Sequence, residues 1–562
     1  MKKIVVLCLT LLMAVTSFVG CGPTTSTGDS NATTQAAGSD SADKSADKAT
    51  DTTTPAGKKA ISINIASEPP ELLSVLTTDT TSMTVLRHVV ENLVMLDENN
   101  EVIPGVAESW EYDAASLTYT FKLRQNSKWS TGQPVTAKDF VFAWQTLVNP
   151  KTAAEYSYMG YILKNGEAIA TGKMDVSELG VKAVDDYTLQ VTLERPVPYA
   201  LSMFSFVVFA PINEENYTTL GETYGKDANT LPTNGAFKVA SWTHESDIVL
   251  AKNTEYWNVE KVNLDEVKML MISDTNAALN EFKSGGAQMI GLNGEQAAQM
   301  KSEGNEVLTY DDGSCWYFEF NTTKEGLKNA KIRRALTLGV DAKLFIEGVV
   351  KNSSTVATSF TPPAVNGVSG KFKDAVGDLI PRDNNFAEAK RLLEEGMKEE
   401  GLTSLNLSYI CDDGDTAAKY AAYFQEQWKK NLGVEVTIQA MPFKSRIERM
   451  QNKDFDIVMA GWGPDYNDPM TFLDLFVTGG GNNHTSYSSA EYDALIKAAT
   501  EEADVNKRQE LLIQAEKVLM TDLPIGPIYN RARDYIVADG LTGVIRTAFQ
   551  DINVIYADYV AK

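Results

Sequence analysis

A mixed α/β fold with at least two lobes is what this sequence predicts, and three observations carry the prediction. In the last third, short apolar runs at 405–409, 434–438 and 455–459 alternate with helical patterns at 386–400, 417–431, 490–502 and 506–521, a β-α-β rhythm. Earlier segments at 59–65 and 117–123 alternate apolar and polar residues with period two, as half-buried strands do. From residue 60 onward about 500 residues remain, enough for two or three domains around large cores.

The chain opens with Met1-Lys2-Lys3, a basic segment, and an apolar stretch from Ile4 to Val19 broken only by Thr10, Thr16 and Ser17. This stretch is too short to span a bilayer and reads as a secretory signal. Phe18-Val19-Gly20-Cys21 sets a small residue directly before a cysteine and resembles the lipobox of bacterial lipoproteins, with Phe18 where Leu is usual. The resemblance implies that 1–20 is a lipoprotein signal peptide and that Cys21 carries lipid, which anchors the mature chain in the membrane. Residues 21–59 are rich in Ser, Thr, Ala, Asp and Gly and repeat Ser-Ala-Asp-Lys at 41–44 and 45–48. They cannot bury enough apolar surface to offset chain entropy and read as a disordered polar tether. A Ser-x-x-Lys match inside such a tract cannot hold a catalytic serine in place.

In the body, 59–65 is the first strand, broken by Glu68-Pro69-Pro70. A helix is expected from Ser82 to Leu96, with Val85, Val89, Leu93 and Leu96 on one face and Ser82 or Thr84 as its cap. The helix opening at Ala137 places Phe140, Phe142 and Trp144 at spacings that suit a core. Strands follow at 187–193 and 248–251, and a helix at 330–338. The apolar run from Tyr199 to Ile212 is short, lies after Pro198 and contains Pro211, so it reads as core and not as a membrane span.

Composition narrows the function. Fifty-one Lys and Arg face 75 Asp and Glu, a formal charge of −24. Loss of Lys2 and Lys3 with the signal makes it −26, which argues against nucleic acid and favours cationic ligands. Cys8 leaves with the signal. Cys315 and Cys411 are too few for a disulfide framework or a metal cluster, though two cysteines can pair in an oxidising compartment. The three histidines, His88, His244 and His484, are far apart, and no zincin, phosphate-loop or dinucleotide motif is present. Nothing points to a metal, a cofactor or an enzyme.

One stretch stands out. After the run Phe455-Asp456-Ile457-Val458-Met459-Ala460 comes Gly461-Trp462-Gly463-Pro464-Asp465-Tyr466-Asn467-Asp468-Pro469. Two glycines let the backbone approach a ligand, while an aromatic and a carboxylate are presented together. That suits a ligand with a positive charge and a backbone of its own. The alternative is a tight turn with a packed Trp462 and a solvated Asp465.

Residues 126–140, Asn-Ser-Lys-Trp-Ser-Thr-Gly-Gln-Pro-Val-Thr-Ala-Lys-Asp-Phe, resemble the signature of family 5 extracellular solute-binding proteins, the oligopeptide receptors of ABC importers. Similar stretches continue in order at 103–110, 233–237, 253–257, 331–336 and 428–434, and the last is the 461–469 motif. The resemblance covers essentially the whole body. It implies a two-lobed periplasmic-binding-protein-like fold, type II, with an extra inserted domain. Lobe I would comprise 60–90, 230–320 and 530–562, the inserted domain 91–229, and lobe II 321–529. It also implies an oligopeptide ligand enclosed in the cleft, ABC permease subunits as partners, a monomeric receptor and an extracytoplasmic location. The long polar tether favours a Gram-positive type of surface over a periplasm.

Carried over residue by residue, the resemblance makes Asp465 the partner of the ligand's α-ammonium. Gly461 and Gly463 would leave backbone groups free to pair with the peptide, with Trp462 and Tyr466 beside them. Trp316 and Phe318, one face of the stretch 315–321, Asp79 and Thr80, and Tyr529 are further expected contacts. By strand alternation Tyr317 points the other way from Trp316 and Phe318. Two departures matter. Met450 and Met459 stand where receptors of the enterobacterial type carry arginines for the ligand's carboxylate, and Gly463 stands in place of a cysteine, so no bridge from Cys315 can form there. A same-fold receptor for a nickel complex, cell-wall peptide, sugar or signalling peptide, and a secreted hydrolase, are the other readings.

Overall fold

The alternation at 59–65 produces the strand Ala60–Asn64, with Ile61 and Ile63 buried. It pairs in parallel with Glu266–Leu270 and Met289–Leu292. The structure, a computed structural model, describes residues 58–561 except Pro198 and Ala503. The signal peptide, Cys21 and the tether up to residue 57 therefore lie outside the described residues. No helix among the described residues is long and apolar enough to cross a membrane.

One sheet organises the body. Its strands run in the order Val436–Met441, Leu407–Asp412, Ile457–Trp462, Leu308–Phe320, Ile525–Val537, Met289–Leu292, Ala60–Asn64, Glu266–Leu270, Asp247–Lys252, Phe237–Thr243. The short strand Thr355–Val356 pairs off this path with Ile525–Val537. The two 13-residue strands Leu308–Phe320 and Ile525–Val537 are the middle of this order. Their first contacts, Leu308 with Tyr535 through Asp311 with Ala532, join the half that holds Ala60–Asn64. Their last, Cys315 with Asn530 through Glu319 with Ile525, join the half that holds Ile457–Trp462. Between these runs the register shifts at Asp311–Cys315, a bulge of the kind that bends a strand. Gly313 sits in it with φ of 68°. A Cβ there would meet the side chains of Ala548 and Pro464 at 2.7 and 3.0 Å, so both backbone and space call for glycine.

A second, four-stranded antiparallel sheet, Ala107–Asp113, Thr118–Leu123, Thr188–Thr192 and Val181–Asp185 in that order, carries the inserted segment. The helix Ala137–Val148 packs Phe140 and Trp144, both fully buried, inside it. Its first turn is closed by reciprocal bonds between Thr136 and Asp139.

Several boundaries differ from the sequence reading. The first helix is Thr80–Val89, capped by Asp79, whose carboxylate accepts the Ser82 N–H at 2.8 Å. An Asp cap satisfies an otherwise orphaned donor, so neither Ser82 nor Thr84 serves. Val90 is already extended, and Val94–Leu96 is a strand paired with Val102–Pro104. Hydrophobic period alone ran these two elements together. The three strands of the last third, Leu407–Asp412, Val436–Met441 and Ile457–Trp462, each begin two residues later than their apolar runs. The runs enter the core before pairing starts: Phe455 is buried ahead of its strand, and Asp456 turns back to accept from the Ser408 N–H and hydroxyl. Cys315 and Cys411 are both buried and both unpaired.

Candidate functional site

The strand Ile457–Trp462 carries the 461–469 motif to a cavity of about 610 Å³ between the two halves of the main sheet. Gly461 is dictated by what lies across from it. It pairs with Trp316 in register, and a Cβ on it would come within 2.4 Å of the Trp316 indole. Trp316 is held in turn by stacking on Tyr529 at 6.1 Å and by the Arg531 guanidinium over its ring at 4.4 Å. Trp462, Gly463 and Pro464 continue along the wall to Asp465.

Asp465 is fixed but not satisfied. Its backbone N–H donates to Thr471 Oγ1 at 3.0 Å, and its Oδ1 accepts from the Tyr156 hydroxyl at 3.3 Å. Its Oδ2 is buried without a hydrogen-bond partner. Burial, followed by the nearby Asp474 carboxylate, holds the Asp465 carboxyl well above the usual range, and the Tyr156 bond only partly opposes this. Burial of a carboxylate without a partnering charge is costly, which is why its proton is held. The far end of the motif is clamped by the Arg508 guanidinium, which donates to both Asp468 oxygens at 2.7 and 2.8 Å.

The other candidates divide. Asp79, Thr80, Trp316 and Tyr529 lie on the cavity wall. Burial pushes the Asp79 carboxyl up to about 6, against its bonds to the helix it caps. Phe318 does not reach the cavity. It is fully buried against Phe424 and Trp428, ring centres 4.8 and 5.0 Å away, and Tyr317 is on the wall instead. Trp316 and Tyr317 both reach the wall, with a register shift between them, while Phe318 is covered by Phe424 and Trp428 of the helix Asp415–Leu432. Tyr466 is also turned away: it stacks flat on Tyr199 of the inserted segment at 5.1 Å and 4°. Of the two methionines, Met450 lines the cavity, whereas Met459 belongs to the aromatic core around Phe318.

Wall residues that the sequence reading did not single out come from distant segments. Tyr156 arrives from the inserted segment, and nothing local marks it. Arg446, one helical turn before Met450, lies on the wall with its Nε 2.6 Å from Asp412 Oδ1. Arg531 and Arg533 converge on Asp312 in the bulge at 2.5 and 2.9 Å. Glu319 and His484 complete the set. A carboxylate inside the aromatic run 316–320 was the available signal for Glu319.

These features define a class: a two-halved α/β protein with a cavity between the halves and a buried acid on its wall. Residues 101–484 match bacterial extracellular solute-binding proteins, family 5 Middle. The oligopeptide-binding protein OppA of Bacillus subtilis is 35% identical over 501 residues, covering 87% of this chain and 90% of its own. The structure of Listeria monocytogenes OppA bound to peptide superposes with a TM-score of 0.86 at 33% identity, over 90% of this chain and 100% of that one. The murein tripeptide binding protein MppA of Escherichia coli gives 0.83 at 29% identity, over 90% and 99%. An unliganded open form of MppA gives only 0.59 at the same identity, over 90% and 98%. The chain belongs to family 5 of the bacterial extracellular solute-binding proteins, whose members here are binding proteins and not enzymes, and it superposes better on the first MppA structure than on the unliganded open form.

Proposed function

We propose that the chain is an extracytoplasmic, lipid-anchored receptor that binds oligopeptides between its two lobes and delivers them to the permease of an ABC importer. The observation that carries this is Asp465: a fixed, buried carboxyl group whose Oδ2 has no hydrogen-bond partner, at the wall of the cavity between the halves. A peptide's α-ammonium supplies the missing charge. The strand edges around Gly461 and Gly463 offer backbone groups for pairing that ignores side-chain identity. The names of the Bacillus and Listeria relatives point to the same ligand class. In this reading Cys21 bears the lipid, the tract to residue 59 is the tether, and the receptor works as a monomer on a Gram-positive type of surface.

Isothermal calorimetry with short free-amine peptides tests the central claim. Asp465→Asn should weaken binding at least ~100-fold, since removing one member of a buried ion pair costs roughly 3–5 kcal/mol. Acetylation of the peptide's amine should weaken wild-type binding comparably. Unchanged affinity in Asp465→Asn would remove Asp465 from the role. Native mass spectrometry of the purified protein would identify an enclosed ligand directly.

A further inference from the structure

A second buried carboxylate reaches the same cavity. Glu319 is 3% exposed, lies on the wall, and its Oε2 is buried with no hydrogen-bond partner. His484 Nδ1 stands 3.8 Å from that oxygen, beyond hydrogen-bond reach, while His484 Nε2 lies 3.2 Å from Glu155 Oε2. Burial disfavours the imidazolium, but the Glu155 bond and the Glu319 charge outweigh it and hold His484 above its ordinary value. The next cation on the wall, Arg446, is already paired with Asp412. With both glutamates ionised, a protonated His484 would leave one negative charge unbalanced, and burial accordingly pushes the Glu319 carboxyl up, with His484 opposing. An unbalanced buried charge is costly, and a cation from the ligand removes the cost.

We propose that Glu319, His484 and Glu155 form a subsite for a cationic side chain, lysine or arginine, carried near the amino end of the bound peptide. The position follows from chain continuity. Glu155 and Tyr156 are consecutive in the short helix Glu155–Ile162. One bonds His484 beside Glu319, and the other donates to Asp465 Oδ1. Neighbouring residues of one turn thus hold the ammonium anchor and the histidine that stands beside the second acid. His484 balances one of the two glutamates, so the subsite takes a single charge. The inference rests on the reading of Asp465 as ammonium anchor and adds a preference to it.

The test is calorimetry of the full-length protein with free-amine, alanine-based hexapeptides carrying one lysine or one norleucine at position 1, 2 or 3. Norleucine keeps the aliphatic stem and removes the charge. In wild type, lysine should bind at least ~10-fold tighter than norleucine at one of these positions. Glu319→Gln should abolish that preference, and Glu155→Gln should reduce it. Asp465→Asn should weaken both peptides alike. If lysine and norleucine bind equally at all three positions, or if the preference survives Glu319→Gln, the subsite is wrong and the ammonium site stands. If no peptide binds wild type, the peptide reading falls and the subsite falls with it.

Discussion

At the residue scale, the proposed function depends on carboxylates that the fold leaves short of partners. Empty, Asp465 is held well above the usual range by burial and by Asp474, with the Tyr156 bond only partly opposing. Tyr158 and Tyr466 also feel the Asp474 charge, so the surroundings are acids and phenols, with no cation to ionise the carboxyl. An ammonium ligand requires the carboxylate, so binding must expel whatever proton the empty site holds. Affinity therefore rises with pH through the acidic and neutral range. It levels off and then falls once the peptide's α-amino group loses its own proton, near 8. Calorimetry at pH 6 in buffers of different ionisation enthalpy should show release of up to about one proton per peptide, and Asp465→Asn should show none. Proton uptake on binding would contradict the ammonium role. Asp465 itself was legible in the sequence, because glycines, Trp and Asp in one loop mark a backbone-approach site. Tyr156 was not, since its role exists only through contact with a residue 309 positions away.

At the element scale, the pair Gly461 and Trp316 shows how two strands define the wall together. A methyl at 461 would penetrate the indole, and overpacking of this kind costs about 1–3 kcal/mol. Gly461→Ala should lower Tm and weaken peptide binding. Adding Trp316→Ala should recover much of the stability but not the binding, because the indole is also part of the wall. A double-mutant cycle followed by thermal unfolding and calorimetry measures this, and simple additivity of the two stability losses would show that the clash is not the cause. Strand alternation separated Tyr317 from Phe318, but it is Tyr317 and not Phe318 that lies on the cavity wall. Period two tells which residues share a face, while which face is covered depends on the helix Asp415–Leu432, about a hundred residues downstream. The same limit explains Met459, which lies with Phe318 in the aromatic core.

At the scale of the whole molecule, the two long strands Leu308–Phe320 and Ile525–Val537 join the halves of the sheet, with the bulge at Asp311–Cys315 and the Asp312 pairing to Arg531 and Arg533 between them. A ligand enclosed by both halves binds the folded closed state and not the unfolded chain. Peptide at about 100 times its Kd should then stabilise by ~2.7 kcal/mol, a rise in Tm of roughly 2–3 °C for a body of this size unfolding in one transition. Differential scanning calorimetry should show that rise for a free-amine peptide and not for its acetylated form; equal shifts for both would place the stabilising contact elsewhere. What the sequence determined by itself is the α/β class, the order of most elements and the family, because these follow from local periodicity, composition and short contiguous motifs. The tertiary structure alone decided which of those residues reach the cavity. It brought Tyr156, Glu319, His484 and Asp465 to one wall and sent Phe318 and Tyr466 away from it. Burial and orphaned charge depend on which distant segments cover a side chain, and no local pattern carries that information.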